Sequence, residues 1–201
     1  IRDRVLDVND FSVLCAQSYP NYDLDKYMND PQYREDLLLN KDGQNAMWNR
    51  CFWQGYPIGS AMKPAVALAA LQEGVIDTST QFRCGYTYYN ADMPDFHPLC
   101  MGTHGYLNVI EALTVSCNIF FYDTGYNLGI DNMNLYQRKL GLGELTGVEI
   151  YESDGTLAGP DEKEDWYGGD TIMAAIGQSD NLITPVQLAT YAAPIANNGT
   201  R

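Results

Sequence analysis

Apolar and polar positions alternate at the start of the chain. Val5-Leu6-Asp7-Val8 and Phe11-Ser12-Val13-Leu14-Cys15-Ala16 predict a hairpin over residues 5–16, with Asn9-Asp10 at the turn. Residues 24–50 are polar and rich in Asp, Asn and Tyr, with one short helix expected at 31–38. The pattern then changes. After the turn residues Pro57 and Gly59 comes a dense run of Ala, Val and Leu that stops at Gly74, which predicts a buried helix over 60–73. Residues 75–105 show no period, and so long an irregular stretch implies local strands or a functional segment. From Asn108, Val109-Ile110-Ala112-Leu113 recurs at helical spacing, breaks at Ser116-Cys117-Asn118, and resumes to Gly125. An amphipathic helix follows over about 131–140. An extended stretch is expected at 145–151, an acidic Gly/Pro loop at 152–165 and a short apolar segment at 171–176. Thr184-Pro185 opens a last helix over 186–196, so the helical part covers 108–196. Strands and helices in this mixture are α/β in the broad sense, or α+β, and there is no internal repeat.

The 201 residues suffice for one sizeable domain or a piece of a larger one. No apolar run reaches membrane-spanning length, and residues 1–20 lack a basic-then-apolar export signal. Any anchor or leader is therefore expected outside this stretch. Gly199-Thr200-Arg201 reads as a helix stop and the first step of something further, as in a fragment. With 26 acidic against 12 basic residues the net charge is −14, which argues against nucleic acid or an anionic membrane as a partner. The five cysteines form no C-x-x-C and have no histidine read at zinc spacing, so neither a metal site nor a cofactor is expected. Cys84 and Cys100 flank a loop rich in Tyr, Asp and Pro, and a disulfide and free thiols are both open for them.

Candidate chemistry lies at the start of the apolar helix. Ser60 and Lys63, three residues apart, project from one helix face beside an N-terminus with free N–H groups. A serine hydroxyl needs a base to become a nucleophile, and a lysine held neutral by burial can be that base. Alone, S-x-x-K arises by chance about once in a chain of this size and reads as a capped helix with a surface lysine. A second constellation, Ser116-Cys117-Asn118, sits at a helix break where Ser116 can relay a proton and the Asn118 amide can hold a carbonyl or the lysine. Alone it reads as polar capping. Ser179-Asp180-Asn181 also spells S-D-N, but its place before Thr184 favours an Asx-type turn.

The two constellations together belong to the signature of penicillin-binding proteins and serine β-lactamases. The chain resembles the transpeptidase domain of the class B penicillin-binding proteins. The resemblance runs through Ser18-Tyr19-Pro20-Asn21-Tyr22-Asp23, Gly59-Ser60-Ala61-Met62-Lys63-Pro64, His104-Gly105, Ser116-Cys117-Asn118, Leu145-Thr146-Gly147-Val148-Glu149, Ile176-Gly177-Gln178 and Ile183-Thr184-Pro185-Val186-Gln187 to Asn198-Gly199-Thr200-Arg201. It implies an antiparallel sheet flanked by helices plus a helical subdomain, with the C-terminal strands lying beyond residue 201. It implies Ser60 as nucleophile, Lys63 as general base, Ser116 as proton relay and Asn118 as the positioning residue. The Ser60 backbone N–H would be one oxyanion donor. The other would come from a K-[ST]-G strand, and no lysine here is followed by Ser or Thr and then Gly. One lost donor costs about 2.7–4 kcal/mol, so these residues alone are expected to be a poor catalyst. The implied substrates are peptidoglycan stem peptides ending in D-Ala-D-Ala, with β-lactams as acylating inhibitors. The implied partner is a cell-wall machinery with a glycosyltransferase, and the implied place is the extracytoplasmic face of a bacterial membrane. No E-x-x-x-N occurs to activate a hydrolytic water, which favours transfer over β-lactamase action. A penicillin sensor and an inactive scaffold are the alternatives.

Overall fold

The computed structural model describes residues 4–200, so Arg201 lies outside the described residues. In chain order the elements are β1 (Arg4–Leu6), β2 (Val13–Ala16), α1 (Leu24–Asn29), α2 (Pro31–Leu38), a 3-10 turn (Gly59–Met62), α3 (Lys63–Gln72), β3 (Phe82–Cys84), β4 (Gly105–Leu107), α4 (Val109–Thr114), α5 (Asn118–Leu128), α6 (Ile130–Lys139), α7 (Gly168–Ala174) and α8 (Pro185–Ala196). The chain divides into two compact units. One comprises residues 1–55, 144–154 and 184–201, the other 56–143 and 155–183.

In the first unit β1 and β2 pair antiparallel, shorter than expected, around a loop closed by the Asp7 N–H to Ser12 carbonyl bond at 3.0 Å. The short helices α1 and α2 meet at Asp30, which ends one and caps the other by accepting from the Gln32 and Tyr33 N–H groups. Helix α1 is not foreshadowed by any apolar period. Its start rests on Asp23, whose carboxylate accepts from the Lys26 N–H. The core gathers Cys51, Phe52 and Val186 against Val13, Trp53 and Val148. Residues 145–151 form no strand. Gly147 turns there at φ +86°, and the Glu152 carboxylate holds the turn through the Thr146 hydroxyl and the Gly147 N–H. Thr184 caps α8 in a capping box with Gln187.

The second unit is mostly helical. Helix α3 is apolar nearly all round and accordingly buried, packing on α5 and α6. It ends as the sequence predicts, with Gly74 at φ +69° and the Val75 N–H returning to the Ala70 carbonyl. Helices α5 and α7 approach so closely at Gly125 that an added Cβ there would lie 2.3 Å from the Ala175 Cβ. The irregular stretch after α3 is a long hairpin. β3 pairs with β4, and between them Cys100 donates its N–H to the Tyr86 carbonyl at 2.8 Å and Thr87 bridges Leu99. The sheets are two small antiparallel pairs, and the fold is a mixture of these with helices.

Candidate active site

The second unit holds all four predicted site residues. Gly59 turns at φ +59° and donates its N–H to the Gly177 carbonyl at 3.0 Å. Ser60 follows in the 3-10 turn, exposed, its carbonyl accepting the Lys63 N–H. Lys63 therefore opens α3 proper, with Pro64 in the first turn where no N–H is missed.

Lys63 is 1% exposed. Its ammonium donates to the Ser116 carbonyl at 2.8 Å and the Asn118 Oδ1 at 2.7 Å, and meets the Ser116 Oγ at 3.0 Å. The Phe121 ring lies 5.6 Å away. Burial brings the Lys63 pKa down to about 8, against an upward pull from the neighbouring Cys100 and Cys117. Two of the three oxygen partners can only accept. The Ser116 hydroxyl is the contact that reverses: it accepts from the protonated amine and donates to the neutral one. Asn118 is itself oriented, because its Nδ2 donates to the Leu99 carbonyl at 3.4 Å.

Ser116 reaches Lys63 from a strained position. Helix α4, opened by the Asn108–Glu111 capping box, ends with the Ser116 N–H on the Leu113 carbonyl and the Cys117 N–H on the Ala112 carbonyl. These are the paired bonds of a Schellman ending, and Ser116 occupies its left-handed residue at φ +53°, where glycine is usual. A side chain there costs about 1–2 kcal/mol. The serine that replaces glycine is the one whose hydroxyl meets the lysine.

Behind this wall four metal-ligating side chains converge. Cys84, Cys100, His104 and Cys117 bring one donor atom each to within 4.8 Å of one another. His104 Nδ1 lies 3.4 Å from Cys84 Sγ and 3.6 Å from Cys100 Sγ, and the Cys100 and Cys117 sulfurs are 3.9 Å apart. A tetrahedral zinc ion would set sulfur–sulfur distances of about 3.8 Å and sulfur–nitrogen distances of about 3.5 Å. The three thiols and one imidazole fit such an ion in type, number and spacing. No such cluster is expected from the sequence, because the cysteines show no C-x-x-C spacing to announce it. Cys84 and Cys100 are free thiols, as are the other three cysteines, so the disulfide considered for that pair is not formed. Burial pushes the Cys117 thiol up to about 12. Burial also raises Cys100, but the Gly102, Asn118 and Ile119 backbone groups outweigh it and hold that thiol below its ordinary range.

The model of the penicillin binding protein transpeptidase domain matches residues 4–201. The chain belongs to this family. The transpeptidase family's peptidoglycan D,D-transpeptidase MrdA from Acinetobacter baumannii is 31% identical over 97% of this chain and 30% of its own length. Among solved structures, Pseudomonas aeruginosa PBP2 in complex with WCK 5153 superposes with a TM-score of 0.88 at 28% identity, over 98% of this chain and 46% of that one. The PBP2 of a Helicobacter pylori complex with MreC superposes at 0.87 and 28% identity, over 97% and 37%. The chain thus spans about a third of the length of the curated relative it matches.

Within this family frame, Lys63, Ser116 and Asn118 meet directly, and Ser60 stands one turn before the lysine. Ser179-Asp180-Asn181 serves the fold. The Asn181 amide is buried, accepting from the Ala158 N–H and donating to the Ala174 and Gln178 carbonyls, a longer-range tie than the Asx turn expected. Sequence reasoning did not bring His104 and Cys117 together with Cys84 and Cys100 as candidate metal donors. The signal was the four-residue step from Cys100 to His104, set beside a cysteine inside the Ser-x-Asn segment.

Proposed function

We propose that the complete protein is a serine D,D-transpeptidase that cross-links peptidoglycan stem peptides and is acylated by β-lactams. The observation that carries this reading is the buried Lys63 amine held between Ser116 and Asn118 at the start of the helix that follows Ser60. Neutral Lys63 takes the Ser60 proton, and Ser60 attacks the penultimate D-Ala carbonyl. The oxyanion forms at the Ser60 N–H and at a second donor supplied, by family resemblance, from a K-[ST]-G strand. Lys63 returns the proton through Ser116 to the departing D-Ala amine, and the acyl group passes to an amine of a neighbouring stem. Asn118 positions the lysine and the substrate amide. No helix among the described residues is long and apolar enough to cross a membrane. In our reading the protein acts on the extracytoplasmic face, anchored by a segment outside these residues. Its partners there are cell-wall synthesis components such as a glycosyltransferase and an MreC-like scaffold. The Cys84, Cys100, His104 and Cys117 donors would hold a zinc ion, which would fix the wall carrying Ser116 and Asn118. A bound zinc would supply folding energy there, with no part in the proton path.

The test is labelling of the complete protein with a fluorescent penicillin. The adduct is expected on Ser60, and Ser60→Ala should abolish it. Labelling that survives the substitution refutes the assignment.

A further inference from the structure

Cys117 is both a member of the four-donor cluster and the residue joining Ser116 to Asn118, so chemistry at its sulfur acts on the catalytic wall. Its sulfur lies 3.9 Å from Cys100 Sγ. That sulfur also accepts the Asn118 backbone N–H at 3.3 Å. Cys84 shares the cluster, and its thiol donates to the Gly102 carbonyl at 3.3 Å. Cys117 is fully buried, whereas Cys100 keeps 5% of its surface open to a small oxidant.

We propose that Cys100 and Cys117 are an oxidative modification site, a dithiol that closes to a disulfide when the cluster lacks its metal and thereby disables the Ser116–Asn118 wall. This rests on the transpeptidase and zinc readings above. The reaction balances with a peroxide. One thiol is oxidised to a sulfenic acid with loss of water, the second thiol displaces its hydroxyl as a second water, and the two electrons have reduced the peroxide. The sulfur–sulfur bond is about 2.05 Å long, so the two sulfurs must close most of the gap between them. Cys117 cannot move far without carrying its neighbours. Ser116 is already held in a left-handed conformation, and the Asn118 N–H is bound to one of the reacting sulfurs. A bound zinc ion opposes closure, because it keeps the sulfurs coordinated and about 3.8 Å apart. The extracytoplasmic setting proposed above is one in which disulfides form and persist.

The experiment uses the complete protein, stripped with a chelator or loaded with zinc, then treated with hydrogen peroxide and finally with a reductant. Peptide mapping by mass spectrometry reads the linkage, and fluorescent penicillin reads the site. In stripped protein the expected result is a Cys100–Cys117 linkage with labelling slowed roughly a hundredfold, the loss a displacement of about 1 Å can cause, and restored by reductant. Zinc-loaded protein should stay unlinked. In stripped Cys100→Ser, the ratio of oxidised to reduced labelling should stay near unity. The proposal is overturned by thiols that remain free, by linkage of any other pair, by linkage that leaves labelling unchanged, by linkage in zinc-loaded protein, or by a ratio that still falls in Cys100→Ser. If that variant fails to fold, the linkage map of the parent decides. Absence of Ser60 labelling in the reduced protein would count against the transpeptidase reading instead, while the linkage map would still judge the dithiol.

Discussion

Gly177 offers the sharpest separation of packing from chemistry. In Gly177→Ala the new Cβ would lie 2.2 Å from the Gly59 carbonyl oxygen, 2.7 Å from its nitrogen and 2.9 Å from its carbonyl carbon, where ordinary contact begins at 3.4 Å. All three are backbone atoms of the residue before Ser60, so no rotamer relieves the overlap. The turn carrying Ser60, the proposed nucleophile, has to retreat by roughly 1 Å, a displacement that can cost about a hundredfold in rate. The left-handed conformation at φ +71° adds a separate penalty. That penalty is about 1–2 kcal/mol for alanine, and overpacking adds about 1–3 kcal/mol. Gly74→Ala is the control. It has nearly the same φ, +69°, but nothing within 4 Å of the added carbon. In the complete protein, time-resolved labelling with fluorescent penicillin gives the acylation constant, and thermal denaturation gives the stability. Both variants should melt earlier than the parent, Gly177→Ala by more. Only Gly177→Ala should lose acylation, by roughly two orders of magnitude. A folded Gly177→Ala that is acylated at the parent rate would refute the claim that this contact sets the position of Ser60.

Four other outcomes follow from the site. With the Lys63 pKa at about 8, the acylation constant should rise about tenfold between pH 7 and pH 9 as the amine loses its proton, and a flat profile would remove Lys63 as the base. The same depression makes the folded state hold fewer protons than the unfolded chain between about 8 and about 10.4, so the burial penalty on Lys63 is full at lower pH and stability from this group rises with pH through that window. Ser116→Gly should relieve a left-handed serine, raising stability by up to about 1–2 kcal/mol in denaturant titration while acylation falls; a variant both more stable and fully active would exclude the relay. Elemental analysis of the complete protein should find one zinc per chain, lost together with thermal stability in Cys84→Ala.

Elements with local chemical signals were legible before the structure. The bounds of α2 could be read from Pro31 after Asp30, the end of α3 from Gly74, and the start of α8 from Thr184-Pro185. Helix α1 could not, because it has no buried residue and depends on the carboxylate of Asp23 and on its neighbour α2. The hairpin between β3 and β4 was illegible for a different reason: it is tied by distant backbone pairs such as Tyr86 with Cys100, which leave no period in the sequence. Ser60, Lys63, Ser116 and Asn118 are legible as candidates because each pair sits at a fixed short spacing. The four candidate metal donors come from β3, the loop after it and the start of α5, and only folding gives them a common centre. The strain at Ser116 was equally hidden, since a Schellman ending is normally announced by the glycine that is missing here.

The bare α-carbon of Gly125 has a mechanical consequence. Helix α5 begins at Asn118, and α7 ends at Ala174 in a turn that leads to Gly177, whose carbonyl accepts the Gly59 N–H. The seam at Gly125 and Ala175 therefore gauges both the lysine-holding wall and the serine-bearing turn from a single datum. A shift of either helix at this seam is expected to move the Lys63-holding wall and the Ser60 turn together.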